Sequence, residues 1–325
     1  MNDLIYDKHN IKLWQGDTLE VLKNMPDESV DMVMTSPPYW TQRFYGGHLK
    51  EIGLEETSEE YIQNLFIICK EIKRILKKEG TFWLNIDDVY YGSGHGKADT
   101  LKGSKQGTVK GMADMGVRNF FNEQRNRKHP IIKKKDLCLI PERLIIELQK
   151  DGWYIRSKII WHKPNAMPEN VKDRPTNDYE FLFLLTKSYN YYFSLQREPH
   201  KPESLVRIKK PWHGKLCKGH SLGSLKNGDM HKMCHPEGRN FRTIWSINTQ
   251  GTKYNHVAKF PEELCIKPIL AGCPEDGIIL DPFCGSGTTG VVAIKLGRKF
   301  WGIDLNQEYL TKICIPRIER EVGLF

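Results

Sequence analysis

Two short stretches of the sequence combine residue types that could do chemistry. The first, "TSPPYW" from Thr35 to Trp40, follows the apolar run "VDMVM" and offers a hydroxyl, two prolines and two aromatic rings. The second, "DPFCGSGTTG" from Asp281 to Gly290, follows the apolar run "IIL" and is rich in glycine. Two consecutive prolines fix φ and remove two N–H donors, so the first stretch must end a strand and become a stiff, acceptor-rich turn.

The glycine-rich stretch has the pattern of a nucleotide-binding loop. Gly285, Gly287 and Gly290 match G-x-G-x-x-G between a strand and a helix, and Asp304 ends the next strand, where a carboxylate can accept from both ribose hydroxyls. A dinucleotide would place its pyrophosphate at the helix N-terminus, where Asp281 would repel it. The stretch therefore favours a positively charged ligand, S-adenosylmethionine with its sulfonium and ammonium groups, over a nicotinamide cofactor.

Strand-like and helix-like patterns alternate along most of the chain, which predicts an α/β fold with a mostly parallel twisted sheet and helices on both faces. The pattern "EEYIQNLFIICKEIKRILKKEG" predicts a helix with Gly80 as its C-cap, followed by the strand "TFWLNI". The glycine unit lies so near the C-terminus that the other strands must come from the first half of the chain. We therefore expect the proline turn and the glycine loop at the same carboxyl-terminal sheet edge, where open α/β sheets bind ligands.

Composition narrows the class of protein. The chain has 325 residues, enough for a large core, and its net charge is +9. No apolar segment is long enough to span a bilayer, and the N-terminal sequence "MNDLIYDKHN" is unlike a secretory signal, so we expect a soluble, cytoplasmic protein with reduced cysteines. Residues 102–135 and 200–242 are rich in basic residues, Gly and Ser. Basic loops of this kind suit a polyanion such as nucleic acid. The alternative interpretation is a solvated surface that binds no polyanion.

Together, "TSPPYW" and the later "DPFCGSGTTG" resemble the amino-methylating DNA methyltransferases of the permuted beta class, most closely the cytosine-N4 members with a Ser-Pro-Pro-Tyr motif. The stretches "GWYIRSKIIWHKPNAMPENVKDRP" and "FPEELCIKPILAG" extend the resemblance over nearly the whole chain outside the two basic stretches. The resemblance implies a Rossmann-like methyltransferase fold with a circularly permuted motif order. It implies a catalytic half at residues 1–194 with a basic loop at 92–135, a small target-recognition region at 195–242, and a donor-binding half at 243–325.

The resemblance also implies roles for individual residues. It places Ser36, Pro37, Pro38 and Tyr39 in the catalytic motif, and it places S-adenosylmethionine against Asp17, Asp281, Phe283, Gly285, Gly287 and Asp304. The implied reaction is direct methyl transfer to the exocyclic amine of a base flipped out of double-stranded DNA, within a restriction-modification system that could include a cognate endonuclease.

We expect Ser36 Oγ and the Pro37 carbonyl to accept hydrogen bonds from the amine, which turns the nitrogen lone pair toward the methyl group. Tyr39 is the expected stacking surface for the base, with Trp40 as a candidate second wall. Members with Ser at position 36 usually act on cytosine N4 and members with Asp on adenine, so cytosine N4 is the expected target and adenine N6 the alternative.

Other readings receive less support from the sequence. A cytosine-C5 enzyme needs a Pro-Cys nucleophile, which the chain lacks, and Cys273 is expected to be structural. An RNA or protein-amide methyltransferase and a non-catalytic DNA-binding protein are remoter alternatives. The residues Cys217, His220, His231 and Cys234 have zinc-like spacings, but the stretch is rich in His throughout, so we expect no metal site.

Overall fold

A computed structural model describes residues 3–41, 51–92, 129–208, 235–250 and 260–323 of the chain. Most of both basic stretches, including the four residues with zinc-like spacings, therefore lies outside the described residues. The chain divides into two compact units, one formed by Met1–Phe193 with Thr243–Phe325 and the other by Ser194–Arg242. Within the described ranges, no helix is both long and apolar enough to cross a membrane.

The larger unit is built on a nine-stranded sheet with the order β1-β2-β11-β10-β3-β4-β6-β5-β9. Its strands are β1 (Asp3–Lys8), β2 (Ile11–Gln15), β3 (Val30–Thr35), β4 (Leu76–Ile86), β5 (Tyr154–His162), β6 (Tyr179–Thr186), β9 (Ile244–Ser246), β10 (Ile278–Asp281) and β11 (Lys299–Asp304). Strands β2, β11, β10, β3 and β4 run parallel, whereas β6 is antiparallel to β4 and to β5. The carboxyl ends of the parallel strands and the start of β6 consequently share one edge of the sheet.

Helices cover the sheet as the apolar patterns predict. They are α1 (Thr18–Lys23), α2 (Ser58–Ile75), α3 (Ile140–Lys150), α5 (Glu262–Gly272) and α6 (Thr288–Lys295), with α4 in the smaller unit. The last segment begins with a helical turn at Gln307–Tyr309, continues as a π-helical turn at Leu310–Cys314 and ends in α7 (Ile315–Val322).

Helix α2 ends earlier than its sequence pattern predicts. Thr57 and Glu60 form a capping box at its start, but the helix stops at Ile75, and Leu76 is already extended and begins β4. Gly80 is therefore not a C-cap, and that expectation was wrong. A Cβ on Gly80 would lie 2.8 Å from the Asp31 carbonyl oxygen, so this glycine serves the close approach of β4 to the neighbouring strand β3.

The smaller unit contains a short antiparallel pair of strands and one helix in its described part. Strand β7 (Arg197–Glu198) pairs with β8 (Arg239–Asn240), and helix α4 spans Pro202–Ile208. An ion pair of 3.4 Å between Arg239 and Glu198 links the two strands. The two ends of this segment of the chain are thus held together by the strand pair.

Candidate active site at the sheet edge

The proline turn leaves β3 at the carboxyl edge of the sheet. Ser36 is half-buried and Pro37 is buried. The Tyr61 hydroxyl from α2 donates a 2.8 Å hydrogen bond to the Pro38 carbonyl and so fixes the turn to the core. Within the described part of the chain no hydrogen bond is made to the Pro37 carbonyl, so this oxygen keeps its capacity to accept.

The Tyr39 hydroxyl connects the turn to the next strands. It donates to Glu180 Oε2 at 2.7 Å and lies 3.3 Å from Ser36 Oγ. Burial and the negative charges of Glu180 and Asp87 raise the pKa of the Tyr39 phenol well above its ordinary value. Tyr39 is therefore a neutral hydroxyl, and its half-buried ring is held at a fixed angle beside the turn.

Glu180 is the centre of a network that the sequence reasoning missed. Its Oε1 accepts from Lys163 Nζ at 2.6 Å, and its Oε2 accepts from Asn85 Nδ2 at 3.0 Å as well as from Tyr39. Burial, followed by the charge of Glu180, raises the pKa of Asp87 to about 7, although Lys163 opposes the shift. A carboxylate inside the apolar strand "YEFLFLL" was the available signal in the sequence, since an acid in such a strand needs a partner.

The glycine loop lies beside the turn, on the neighbouring strand β10. Gly285 and Gly287 have positive φ values of 49° and 75°, and a Cβ on Gly287 would lie 2.5 Å from Cys314 Sγ. Arg317 of α7 donates to the Ser286 carbonyl at 2.6 Å and to Ser286 Oγ at 3.0 Å, which fixes the loop from behind. The loop is therefore pinned by backbone conformation and by a buried arginine that the sequence did not single out.

Asp304 closes the far side of this loop. Its Oδ2 accepts from the Gly285 N–H and its Oδ1 from the Asn306 N–H, each at 2.8 Å. Burial raises the pKa of Asp304 to about 6, and the two backbone donors oppose the shift. Since an ionised carboxylate has about four acceptor positions, further lone pairs stay available for hydroxyl groups of a ligand.

Asp17 lies at the start of α1, where the chain leaves β2. Its Oδ1 accepts from the Glu20 N–H at 3.0 Å, so it is the N-cap of that helix. The adjacent Thr18 hydroxyl donates to the Pro282 carbonyl at 2.7 Å, which joins this corner to the glycine loop. Phe283 is half-buried in the same loop.

Asp281 is more deeply placed than the other predicted ligand residues. It is 1% exposed. Its Oδ1 accepts from Thr35 Oγ1 at 2.6 Å and from the Phe283 N–H at 3.1 Å, and its Oδ2 accepts from Thr289 Oγ1 at 2.6 Å. Burial raises the pKa of this carboxyl group to about 6, and these hydrogen bonds oppose the shift.

The sheet edge thus brings the predicted catalytic turn, the glycine loop, Asp17 and Asp304 together within the larger unit. Trp40 is different, because it is buried and its indole N–H donates to the Glu55 carbonyl at 3.0 Å. It packs in the core and offers no second wall for a base. Cys273 and Cys284 are buried as well.

Comparison with known proteins identifies the family. A family model named N6_N4_Mtase and described as DNA methylase matches residues 30–314. The chain is 40% identical over 309 residues to the type II methyltransferase M.Cfr9I of Citrobacter freundii. The aligned region covers 95% of this chain and 88% of that protein.

Solved structures of other DNA methylases share the fold, and two of them serve as examples. PvuII DNA methyltransferase, described as cytosine-N4-specific, superimposes with a TM-score of 0.60 at 18% identity and covers 99% of this chain and 96% of its own. A putative DNA modification methylase of Thermus thermophilus, solved in complex with S-adenosyl-L-methionine, has a TM-score of 0.55 at 23% identity and covers 96% of this chain and 95% of its own. With most of its length matched by the family model and by a relative of 40% identity, the chain belongs to the N6/N4 family of DNA methylases.

Proposed function

We propose that the protein transfers a methyl group from S-adenosylmethionine to the exocyclic N4 amine of cytosine in duplex DNA. The observation that carries the proposal is the arrangement of the proline turn and the glycine loop on the adjacent strands β3 and β10 at one sheet edge. An acceptor-rich turn beside a nucleotide-type loop can hold an amine and a methyl donor against each other. Family membership supplies DNA as the substrate class.

The residues at the loop fit S-adenosylmethionine. The positive φ values of Gly285 and Gly287 bring the backbone close to a ligand, and Asp304 keeps lone pairs for two ribose hydroxyls. The carboxylates of Asp17 and Asp304 give this corner the negative charge that suits a cationic donor. When bound, the donor supplies a methyl group whose bond to sulfur breaks, with its electron pair going to sulfur, as the bond to the amine nitrogen forms.

The turn suits the amine of a nucleobase. Glu180 accepts a hydrogen bond from the Tyr39 hydroxyl, and the Tyr39 oxygen accepts one from the Ser36 hydroxyl, so the lone pairs of Ser36 Oγ stay available as acceptors. Ser36 Oγ and the Pro37 carbonyl then accept from the two N–H bonds of the amine. The nitrogen becomes pyramidal, its lone pair is directed at the methyl group, and one N–H proton leaves to solvent after transfer.

The preference for cytosine rests on the serine at position 36. The PvuII enzyme, described as cytosine-N4-specific, supports this choice by its fold, and adenine N6 is the second candidate because the family covers both amines. The proposed stacking surface is the Tyr39 ring, and stacking on it does not distinguish one base from another, because every base presents a π-face. The proposal therefore places the choice of base in the hydrogen bonds of the turn.

We assign target recognition to residues 195–242, assisted by the basic loop 92–135. The catalytic and donor-binding halves at 1–194 and 243–325 form one methyltransferase domain. The type II name of the Citrobacter freundii relative supports a role in a restriction-modification system, with an endonuclease that cleaves the same site when it is unmethylated.

The test is to incubate the purified protein with unmodified duplex DNA and labelled S-adenosylmethionine, and then to identify the methylated nucleoside by mass spectrometry. We expect N4-methylcytosine. N6-methyladenine would overturn the choice of base, and label in RNA or protein alone would overturn the substrate class.

Ser36→Ala tests the role of the turn. We expect turnover to fall by at least about 100-fold, the scale seen when one hydrogen bond to a transition state is removed, with donor affinity nearly intact. Ser188→Ala, which follows the far end of β6, is the matched control and should leave turnover unchanged. Full activity in Ser36→Ala would show that this hydroxyl does not hold the amine.

A further inference from the structure

The carboxylate of Asp281 joins the two motifs of the site. It accepts from the Thr35 hydroxyl, which immediately precedes Ser36, and from the Thr289 hydroxyl and the Phe283 N–H of the glycine loop. Thr35 and Asp281 are separated by 246 positions in the sequence. One side chain therefore connects the amine-holding turn to the donor loop.

The position of this connection in the sheet is informative. Strands β3 and β10 pair only at Met32 with Ile279 and at Val33 with Leu280. By contrast, β3 continues its pairing with β4 up to Thr35, and β10 continues with β11 up to Asp281. The backbone ladder between β3 and β10 thus stops short of the edge, at the kind of crevice where open α/β sheets bind ligands. Beyond the last ladder pair, the 2.6 Å hydrogen bond between Thr35 and Asp281 spans the gap.

The chemistry of the three donors indicates that Asp281 is not part of an ion pair. Two donors are neutral hydroxyls and one is a backbone N–H, and no salt bridge to Asp281 is found among the residues the structure describes. A buried carboxylate without a cationic partner is costly, and apolar residues would pack the same space without that cost. Its value must therefore lie in what its hydrogen bonds fix.

We propose that Asp281 is a positioning residue that sets the distance between the amine acceptors of the turn and the methyl donor in the glycine loop. This proposal rests on the proposed function, and it gives Asp281 a role different from the donor contact that the sequence predicts. At 1% exposure the carboxylate has almost no surface to offer a ligand, and its three hydrogen bonds all go to the protein. It acts on the reaction through Thr35 and Thr289.

Methyl transfer depends steeply on this distance, because a misplacement of about 1 Å can cost about 100-fold in rate. Thr35→Val keeps the size and β-branching of the side chain and removes only the hydrogen bond across the gap. We expect the single-turnover rate to fall by about 10- to 100-fold, while donor affinity changes by less than about 3-fold, because the bonds of Asp281 to Thr289 and Phe283 stay in place.

Thr35→Ser is the rescue variant, since it restores the hydroxyl and removes only a methyl group. We expect it to recover most of the lost rate. Thr289→Val is the matched variant on the other side of the carboxylate, and we expect it to weaken donor binding, because its hydroxyl holds the first turn of α6 to the loop.

The experiment measures donor affinity by calorimetry with S-adenosylmethionine and single-turnover rates with saturating donor and DNA, below the unfolding temperature of every variant. A rate for Thr35→Val within about threefold of the wild type would overturn the proposal, as would a loss of rate that Thr35→Ser does not recover. Rates are compared for whichever base the wild type methylates, so a product other than N4-methylcytosine would contradict the proposed function and leave this test of Asp281 decisive.

Discussion

The Glu180 network permits a quantitative test of how the proposed base pocket is held in place. Glu180 is 9% exposed and pairs with Lys163 at 2.6 Å, with the two side chains 12% and 16% exposed. Glu180→Gln removes the carboxylate that pairs directly with the Lys163 ammonium and leaves Asp87 as the acid that still interacts with it. Breaking a buried ion pair costs about 3–5 kcal/mol, and the residual exposure of both side chains favours the lower end, about 3 kcal/mol.

This loss should be visible in the melting temperature. An unfolding entropy of about 2.1 cal/mol/K per residue gives roughly 0.7 kcal/mol/K for a chain of this length, so we expect Tm to fall by about 4 °C. Lys163→Met should cost a similar amount, because Glu180 then faces Asp87 with only neutral donors left. The double variant should be no less stable than either single variant, which corresponds to a coupling energy of at least about 3 kcal/mol.

An exposed ion pair of the same length provides the control. Lys312 and Glu308 also lie 2.6 Å apart, but their side chains are 67% and 72% exposed. A cycle on this pair should give about 0.3–0.5 kcal/mol. The assay is reversible thermal unfolding, monitored by calorimetry, of the wild type and of the two single variants and one double variant in each cycle. Equal coupling energies in the two cycles would refute the reasoning from burial.

Two further predictions concern the glycine loop and the buried carboxylates. Gly287→Ala should abolish donor binding and lower Tm, because Gly287 has a φ of 75° and an added Cβ would clash with Cys314 Sγ. Gly297→Ala is the control, because Gly297 has a φ of 70° but no atom within 4 Å of an added Cβ, so this variant should show only the backbone strain. Isothermal titration and thermal unfolding measure both variants, and equal losses of donor affinity and of Tm in the two would contradict the prediction. Because the pKa of Asp281 is raised to about 6, its contribution to folding is full below about pH 4 and is lost as the pH rises through 6, about 3 kcal/mol in all. The free energy of unfolding should therefore fall more steeply between about pH 4 and pH 6.5 in the wild type than in Asp281→Asn, as measured by urea unfolding, and parallel curves would disprove the assignment.

Local patterns in the sequence predicted the two motifs and the edge they share. Two prolines end β3 wherever the strand lies, and the glycine loop needs only its own strand and helix to form. The parallel arrangement then follows from the crossover rule, which leaves few ways to bring the C-terminal unit next to the first strands. These features depend on interactions close in sequence or on general rules of topology.

The support of the site could not be predicted in the same way. Asn85 lies in β4, Glu180 lies in β6 and Lys163 directly follows β5. Their contacts therefore depend on the antiparallel insertion of β6 between β4 and β5. Apolar periodicity does not distinguish this insertion from another parallel strand, since β6 is buried on both faces. The end of α2 was misplaced for a related reason, because the pairing of β4 with β3 overrides the helical pattern after Ile75.

The raised pKa values of the site carboxylates bear on how the donor would bind. Burial is the largest cause of the raised pKa at Asp87, Asp281 and Asp304, so the fold maintains these charges at the edge at a cost in stability. A cationic ligand beside a buried carboxylate favours its ionised form and lowers its pKa. Part of the folding stability lost by burying the charge is then recovered as binding free energy. Under the proposed function, Asp304 at the glycine loop is the carboxylate whose cost in stability favours a positively charged donor, whereas Asp281 acts through its hydrogen bonds to Thr35 and Thr289.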